Sequence, residues 1–215
     1  MSTREQASPV RTGQGITGPR RASPWWVAAL LCGALLVMTV ALLFVGPFDE
    51  AAVRRLVRAT ARTSVLLFCT AFSASSLAKF HGSTATAWLV RHRRQIGVSF
   101  AFSHGLHLVA LVLLGRFFPD PFIPELNLVT IVGGGTGYLF VIAMAVTSND
   151  AAVQALGVLR WRILHLTGSW FLWVIFVQSY LPRALLDPWY VPPAALLLAA
   201  AGLRGAAARR RRRAA

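Results

Sequence analysis

The sequence predicts an all-α, polytopic membrane protein: six transmembrane helices, with both termini on the cytoplasmic side. Three observations carry that reading. The 215 residues are 56% hydrophobic and only 13% charged, with a mean hydropathy of +0.59. The apolar residues gather into six runs, at about 25–46, 62–80, 96–116, 128–147, 163–181 and 190–204. Runs near twenty residues cross a hydrocarbon core of ~30 Å as helices. Third, the cations alternate with the runs. Taking the N-terminus as cytoplasmic, sixteen Lys and Arg fall inside and six outside, a positive-inside pattern.

Each element has its own signals. Residues 1–24 are rich in Ser, Thr, Gly, Gln and Arg without apolar periodicity, which predicts a disordered cytoplasmic tail. The first run is too long for a signal-peptide core, and Val45-Gly46-Pro47 is no A-x-A cleavage site, so it is expected to stay attached. Asp49-Glu50 suit a helix N-terminus, and Val53, Leu56 and Val57 of the stretch 51–62 are expected on the membrane surface. Pro119, Pro121 and Pro124 mark a short outer loop over 117–127. Gly133-Gly134-Gly135 and Gly137 lie inside the fourth run, not between a strand and a helix. They predict close approach of another helix or a flat ligand rather than a phosphate loop. Pro192 and Pro193 sit where the sixth helix would begin, and a first turn tolerates proline. The domain plan is therefore a tail over 1–24, a six-span domain over 25–204 and a basic cytoplasmic tail over 205–215.

Several function classes are disfavoured. The net charge of +15 is spread by topology and lacks aromatic-basic interleaving, so nucleic acid is not the expected partner. The run Arg209–Arg213 instead suits anionic lipid headgroups. Cys32 and Cys69 fall inside spans, where a disulfide framework is not expected. No βαβ nucleotide-binding unit is legible. Nor are there repeated halves or a mid-span acid of the kind that couples ions in transporters.

The chemistry lies with histidines. His104 and His107 sit in the third run, three residues apart and so on one helix face. His165 opens the fifth run. An intramembrane imidazole is a functional candidate by default, and imidazole is the usual axial ligand of haem iron. His81 and His92 lie near the inner boundary and are read as solvated loop residues, though either is placed to serve as an inner ligand.

These residues also form an ordered pattern. Arg93-Arg94-Gln95-Ile96-Gly97 precedes Leu106-His107 by ten residues; Thr147-Ser148-Asn149-Asp150 follows, then Trp161-Arg162-Ile163-Leu164-His165. In order and spacing, from roughly residue 48 to 181, this resembles the ferric reductase-like transmembrane domain. Within that family it resembles the membrane haem subunit of the bacterial periplasmic methionine sulfoxide reductase system. The resemblance implies six helices holding b-type haem, one or two, between the third and fifth. It implies electrons arriving from a flavoprotein or the quinone pool and passing to ferric iron, oxygen or a periplasmic enzyme, in the bacterial cytoplasmic membrane. By position, His107 resembles the third-helix ligand and His165 the inner fifth-helix ligand. The family's second fifth-helix histidine would fall at Gln178, a departure, because a neutral amide is a weak ligand. Thirteen residues of straight helix also turn Gln178 ~220° away from His165.

The departure leaves the ligand pairing open. Arg93 lies fourteen residues before His107, ~21 Å along the helix, which places it near the His165 level and His107 near the Gln178 level. His104, outside the family pattern, is expected to compensate for the ligand missing at 178. Trp170, Phe171, Trp173 and Phe176 are of a type to wall a porphyrin, or equally to face lipid. Arg93, Arg94, Arg160 and Arg162 are topology signals first and bidentate donors to propionates second. The expected function is electron transfer through haem, with the protein supplying ligands, dryness and potential rather than bond-making residues. The rival is a haem-less membrane protein that keeps the same bundle, favoured by Gln178.

Overall fold

The computed structural model describes residues 25–123 and 128–213, and every regular element among them is helical. Eight α-helices follow in order: α1 Trp26–Phe44, α2 Glu50–Phe80, α3 Thr84–Phe117, α4 Pro119–Phe122, α5 Leu128–Val146, α6 Asp150–Leu156, α7 Val158–Ala184 and α8 Val191–Arg213. A 3-10 turn, Pro188–Tyr190, leads into α8. Helices α1, α2, α3 and α7, together with α8 and its leading turn, make five spans long and apolar enough to cross a membrane. Helices α5 and α6, bent by 106° at the break between them, bring the number to six when the pair is taken as one span. The tail expected over 1–24 lies outside the described residues.

Local chemistry sets the boundaries. Asp49 caps α2 by accepting from the Ala52 N–H at 2.7 Å, and Glu50 follows in the first turn, where the helix dipole favours an acid. Ser83 and Thr86 form a capping box at the start of α3, so only three residues separate two helices of 31 and 34 residues. Asn149 caps α6 in the same way. Gly157, at φ +77°, makes the break between α6 and α7 in a conformation that favours glycine.

The stretch 51–62 does not lie on the membrane surface. It forms the first turns of α2 without interruption, and Val53 and Leu56 are fully buried. The reason is packing: α2 is the central helix, against which α1, α3 and α8 all lie. Its Phe68, Cys69 and Phe72 share one core with Phe100 of α3, Leu172 and Phe176 of α7 and Leu197 of α8. Large apolar residues facing outward, such as Leu30, Val37, Leu139 and Val174, suit lipid rather than water.

Polar side chains fasten α2 to α3. On α3, His92, Gln95, Ser99 and Ser103 are all buried and recur every three or four residues, so they line one face, with His107 next in the series. Ser103 Oγ lies 3.0 Å from both Thr63 Oγ1 and Ser64 Oγ. Gln95 Oε1 accepts from the Ala28 N–H of α1 at 3.3 Å, satisfying a first-turn donor that hydrocarbon leaves bare. Helices in lipid gain little from burying apolar surface, so such bonds contribute to association. His92 is accordingly no loop residue: it is buried on α3, its ring 4.4 Å from that of Trp88 and 5.9 Å from that of Trp26.

The start of α1 and the end of α8 lie at the same end of the bundle. Trp26 meets Trp88 near the start of α3, while Arg204 and Arg210 donate to the carbonyls of Phe72 and Lys79 late in α2. The Gly-rich face of α5 packs on α7 as expected. A methyl group added at Gly137 would meet Leu172 at 3.5 Å, and one at Gly133 would meet Ile175 at 3.1 Å.

Candidate functional site

His107 sits on α3 against the first turns of α2. Its Nδ1 lies 3.2 Å from the Val57 carbonyl and 3.1 Å from Thr60 Oγ1. A carbonyl only accepts, so Nδ1 carries the hydrogen. Thr60 donates its own hydrogen to Leu56 O at 2.8 Å, which leaves its oxygen free to accept as well. With Nδ1–H held by two acceptors, Nε2 is the bare nitrogen. That is how a metal-binding imidazole is usually oriented by the groups behind it.

His104 lies one turn away, its ring 5.5 Å from that of His107 and inclined to it by 24°. It also stacks on Tyr138 of α5 at 4.7 Å and meets Phe176 of α7 edge-on at 5.6 Å. Its Nδ1 and the Tyr138 hydroxyl are both buried without a hydrogen-bond partner. Two imidazoles on the same side of one helix, nearly parallel, cannot reach a single iron from opposite faces of a porphyrin. His104 is therefore adjacent to the His107 site rather than opposite it.

His165 occupies another level. Phe176 marks the depth of His104 on α7, and His165 precedes it by eleven residues, about 16 Å along the helix. Metal–imidazole bonds are about 2 Å long, so His107 and His165 do not share one iron. His165 Nε2 lies 3.0 Å from Thr147 Oγ1, whose hydrogen goes to Ala143 O at 2.7 Å. The hydroxyl oxygen therefore accepts, Nε2 carries the hydrogen, and Nδ1 is bare. Trp161 covers the ring at 4.4 Å and fixes the same turn through its Nε1–H, which donates to Thr147 O at 3.0 Å.

The remaining expected residues divide. Gln178 is exposed on the outer face of the bundle, as the turn of the helix away from His165 requires. Arg93 spans to α2, donating from Nε to Ala71 O at 2.9 Å and from Nη1 to Ser75 Oγ at 3.2 Å. Arg94 is committed to Asp150 at 2.7 Å. Arg204, not singled out in the sequence, donates to Phe72 O and lies 4.0 Å above the Phe72 ring and 5.4 Å from that of Trp170. Arg93 and Arg204 thus engage neighbouring carbonyls of α2. Among the described residues, no cluster of three or more His, Cys, Asp or Glu is spaced for a metal ion held by side chains alone.

Sequence reading also passed over Thr60, Ser103 and Tyr138. Thr60, Ser64 and Thr63 recur at helical spacing opposite Ser99 and Ser103, a polar stripe inside an apolar run that would have marked the interface. Tyr138 carried no such signal.

These features define a class: a polytopic helical membrane protein with oriented imidazoles at two depths of the bundle. Comparison with known proteins narrows it. The chain is 34% identical over 110 residues to the protein-methionine-sulfoxide reductase heme-binding subunit MsrQ of Azospira oryzae, covering 47% of this chain and 46% of that protein. It is 30% identical over 113 residues to the protein of the same name from Ralstonia nicotianae, covering 50% and 49%. The chain thus spans about half the length of the curated relatives it matches. No family model and no solved structure matches it. Both relatives accord with the resemblance drawn from the histidine pattern.

Proposed function

We propose that the chain is an integral membrane haem-binding subunit that passes electrons within or across the bacterial cytoplasmic membrane. One observation carries the reading: His107 is held through Nδ1 by Val57 O and Thr60, which leaves Nε2 bare inside an apolar bundle. The names of the two relatives support the same cofactor. The donor set fits haem iron, with one imidazole at each of two levels. His107 would hold it at one level. His165 would do so at the other, through its bare Nδ1 or by giving up its bond to Thr147. His104 and Phe176 wall the first level. Arg93 and Arg204, near the second, are the candidate partners for propionates.

Bound b-type haem would supply a one-electron iron couple. This chain's own contribution is to fix ring orientation, exclude water and set the charge around the iron. A flavoprotein reductase or the quinone pool is the proposed donor. Ferric iron, oxygen or a periplasmic reductase is the proposed acceptor.

The exposed position of Gln178 favours a second reading, a bundle that has lost haem, because no imidazole on α7 then opposes His107. Absorption of the purified protein separates the two. Haem ligation predicts a Soret band that His107→Ala removes or shifts to another spin state, with His81→Ala silent. A colourless protein that stays colourless after haem is added establishes the haem-less reading instead.

A further inference from the structure

The cationic end of the bundle carries a feature that electron transfer does not use. Helix α8 has 23 residues, about 34 Å at 1.5 Å per residue, and so outruns a ~30 Å hydrocarbon core. Its last turn, with Arg209–Arg213, therefore stands among the headgroups. Aromatic residues mark the same boundary: Trp25, Trp26 and Trp88 are exposed at this end, and Arg210 lies over the Phe80 ring at 5.8 Å. Arg210 also donates to Lys79 O, which ties α8 to the end of α2. Around this tie the surface carries two shallow, open hollows. Arg209, Arg210 and Arg213 line the first; Lys79, Arg210 and Arg211 line the second. Among the described residues the carboxylates are Asp49, Glu50, Asp120, Asp150 and Asp187. Only Asp150 lies at this end, and it is committed to Arg94.

The geometry points to a binding site for an anionic phospholipid with two phosphates, a diphosphatidylglycerol, one phosphate to each hollow and Arg210 between them. The chemistry is charge-assisted hydrogen bonding of guanidinium to phosphate. Basic pockets between helices on the cytoplasmic side suit such headgroups. The site needs no haem, so its failure and that of the electron-transfer reading are separable.

Native mass spectrometry of the full-length protein in detergent tests it, with diphosphatidylglycerol, phosphatidylglycerol, phosphatidylcholine or inorganic phosphate added. Wild type should hold one diphosphatidylglycerol per chain in preference to the other three. Lys79→Gln with Arg210→Gln should weaken that binding about thirtyfold, at about fivefold per cation. Arg91→Gln with Arg160→Gln removes the same charge from exposed sites at the same end, and should weaken it less than about threefold. Both pairs change exposed side chains, and equal helicity by circular dichroism checks the fold. Equal weakening by both pairs makes the effect diffuse charge and overturns the site. Preference for phosphatidylglycerol or phosphatidylcholine, or displacement by inorganic phosphate at equal phosphate concentration, overturns the assignment too.

Discussion

At the level of single residues, two histidines of similar surroundings in the sequence differ in which nitrogen they leave bare. His107 is set by acceptors on α2 and exposes Nε2; His165 is set by Thr147 and exposes Nδ1. The residues behind a ligand commonly change metal affinity by 10–100-fold. Thr60→Val keeps shape and leaves Val57 O in place, so haem affinity measured by titration should fall by about tenfold, the low end of that range. An unchanged affinity would mean that Val57 O alone holds the ring. His104→Ala should disturb the haem spectrum more than Gln178→Ala, because His104 touches the His107 ring and Phe176 whereas Gln178 faces outward. A larger effect at Gln178 would place the haem on the other side of α7. The positions of the histidines were legible in the sequence, because polar residues stand out in apolar runs. Their tautomers were not, since these depend on carbonyl and hydroxyl groups of helices distant in the chain.

Among the elements, the apolar centre of each span was legible because hydrophobicity is local, but α2 and α3 each begin twelve residues before the apolar run and α8 ends nine residues after it. The packing of α2 was not legible. Its basic first turns read as amphipathic surface, but the partners that bury Val53 and Leu56 come from other helices. Gly168 is another case, silent in sequence. A methyl group there would meet Met144 Sδ at 2.9 Å and the Phe140 ring at 3.0 Å, so α5 and α7 approach closely at that point. Met144 can swing aside, but the ring has less room. Gly168→Leu should therefore destabilise the bundle by about 1–3 kcal/mol, read as a lower Tm in detergent. Gly134→Ala, with open space around it, should unfold at or above the wild-type temperature. Equal Tm values for both variants would show that α5 and α7 separate readily there. Helix α6 offers a test by pH. The Arg94 guanidinium beside Asp150 holds its carboxyl below the usual carboxylate range. A lowered folded value means that the contribution is present above the unfolded value and is lost as pH falls through the folded one. A spin label at Ala151 should stay ordered at neutral pH and loosen below about pH 4. Asp150→Asn should be loose throughout, and high salt should loosen the wild type, because the pair is exposed. Order that persists in Asp150→Asn would show that the Asn149 cap alone holds α6.

For the molecule as a whole, the distribution of charge acquires a geometry that the sequence only counted. Lys79, Arg91, Arg93, Arg94, Arg204 and Arg209–Arg213 belong to helix ends that the contacts of Trp26, Arg204 and Arg210 gather at one end of the bundle. Asp49, Glu50, Asp120 and Asp187 belong to the opposite end with Arg54, Arg55, Arg58, Arg62, Arg116 and Arg183, and there Phe48 packs on Phe117 and Phe118. The bundle is thus strongly cationic at one end and near balance at the other, and the more positive end of a membrane protein faces the cytoplasm. We predict that α1 enters from the cytoplasmic side and that Arg209–Arg213 return to it. An alkaline phosphatase fused after Ala215 should be inactive and a fluorescent protein fused there bright. A fusion in the segment between α3 and α5 should give the reverse. Activity of the C-terminal phosphatase would place the arginine-rich end outside, and with it the level of His165. It would also remove the diphosphatidylglycerol site from the leaflet richest in anionic lipid. The two placements are coupled because Arg204, Arg93 and His165 belong to the same end of the helices that carry the arginine run.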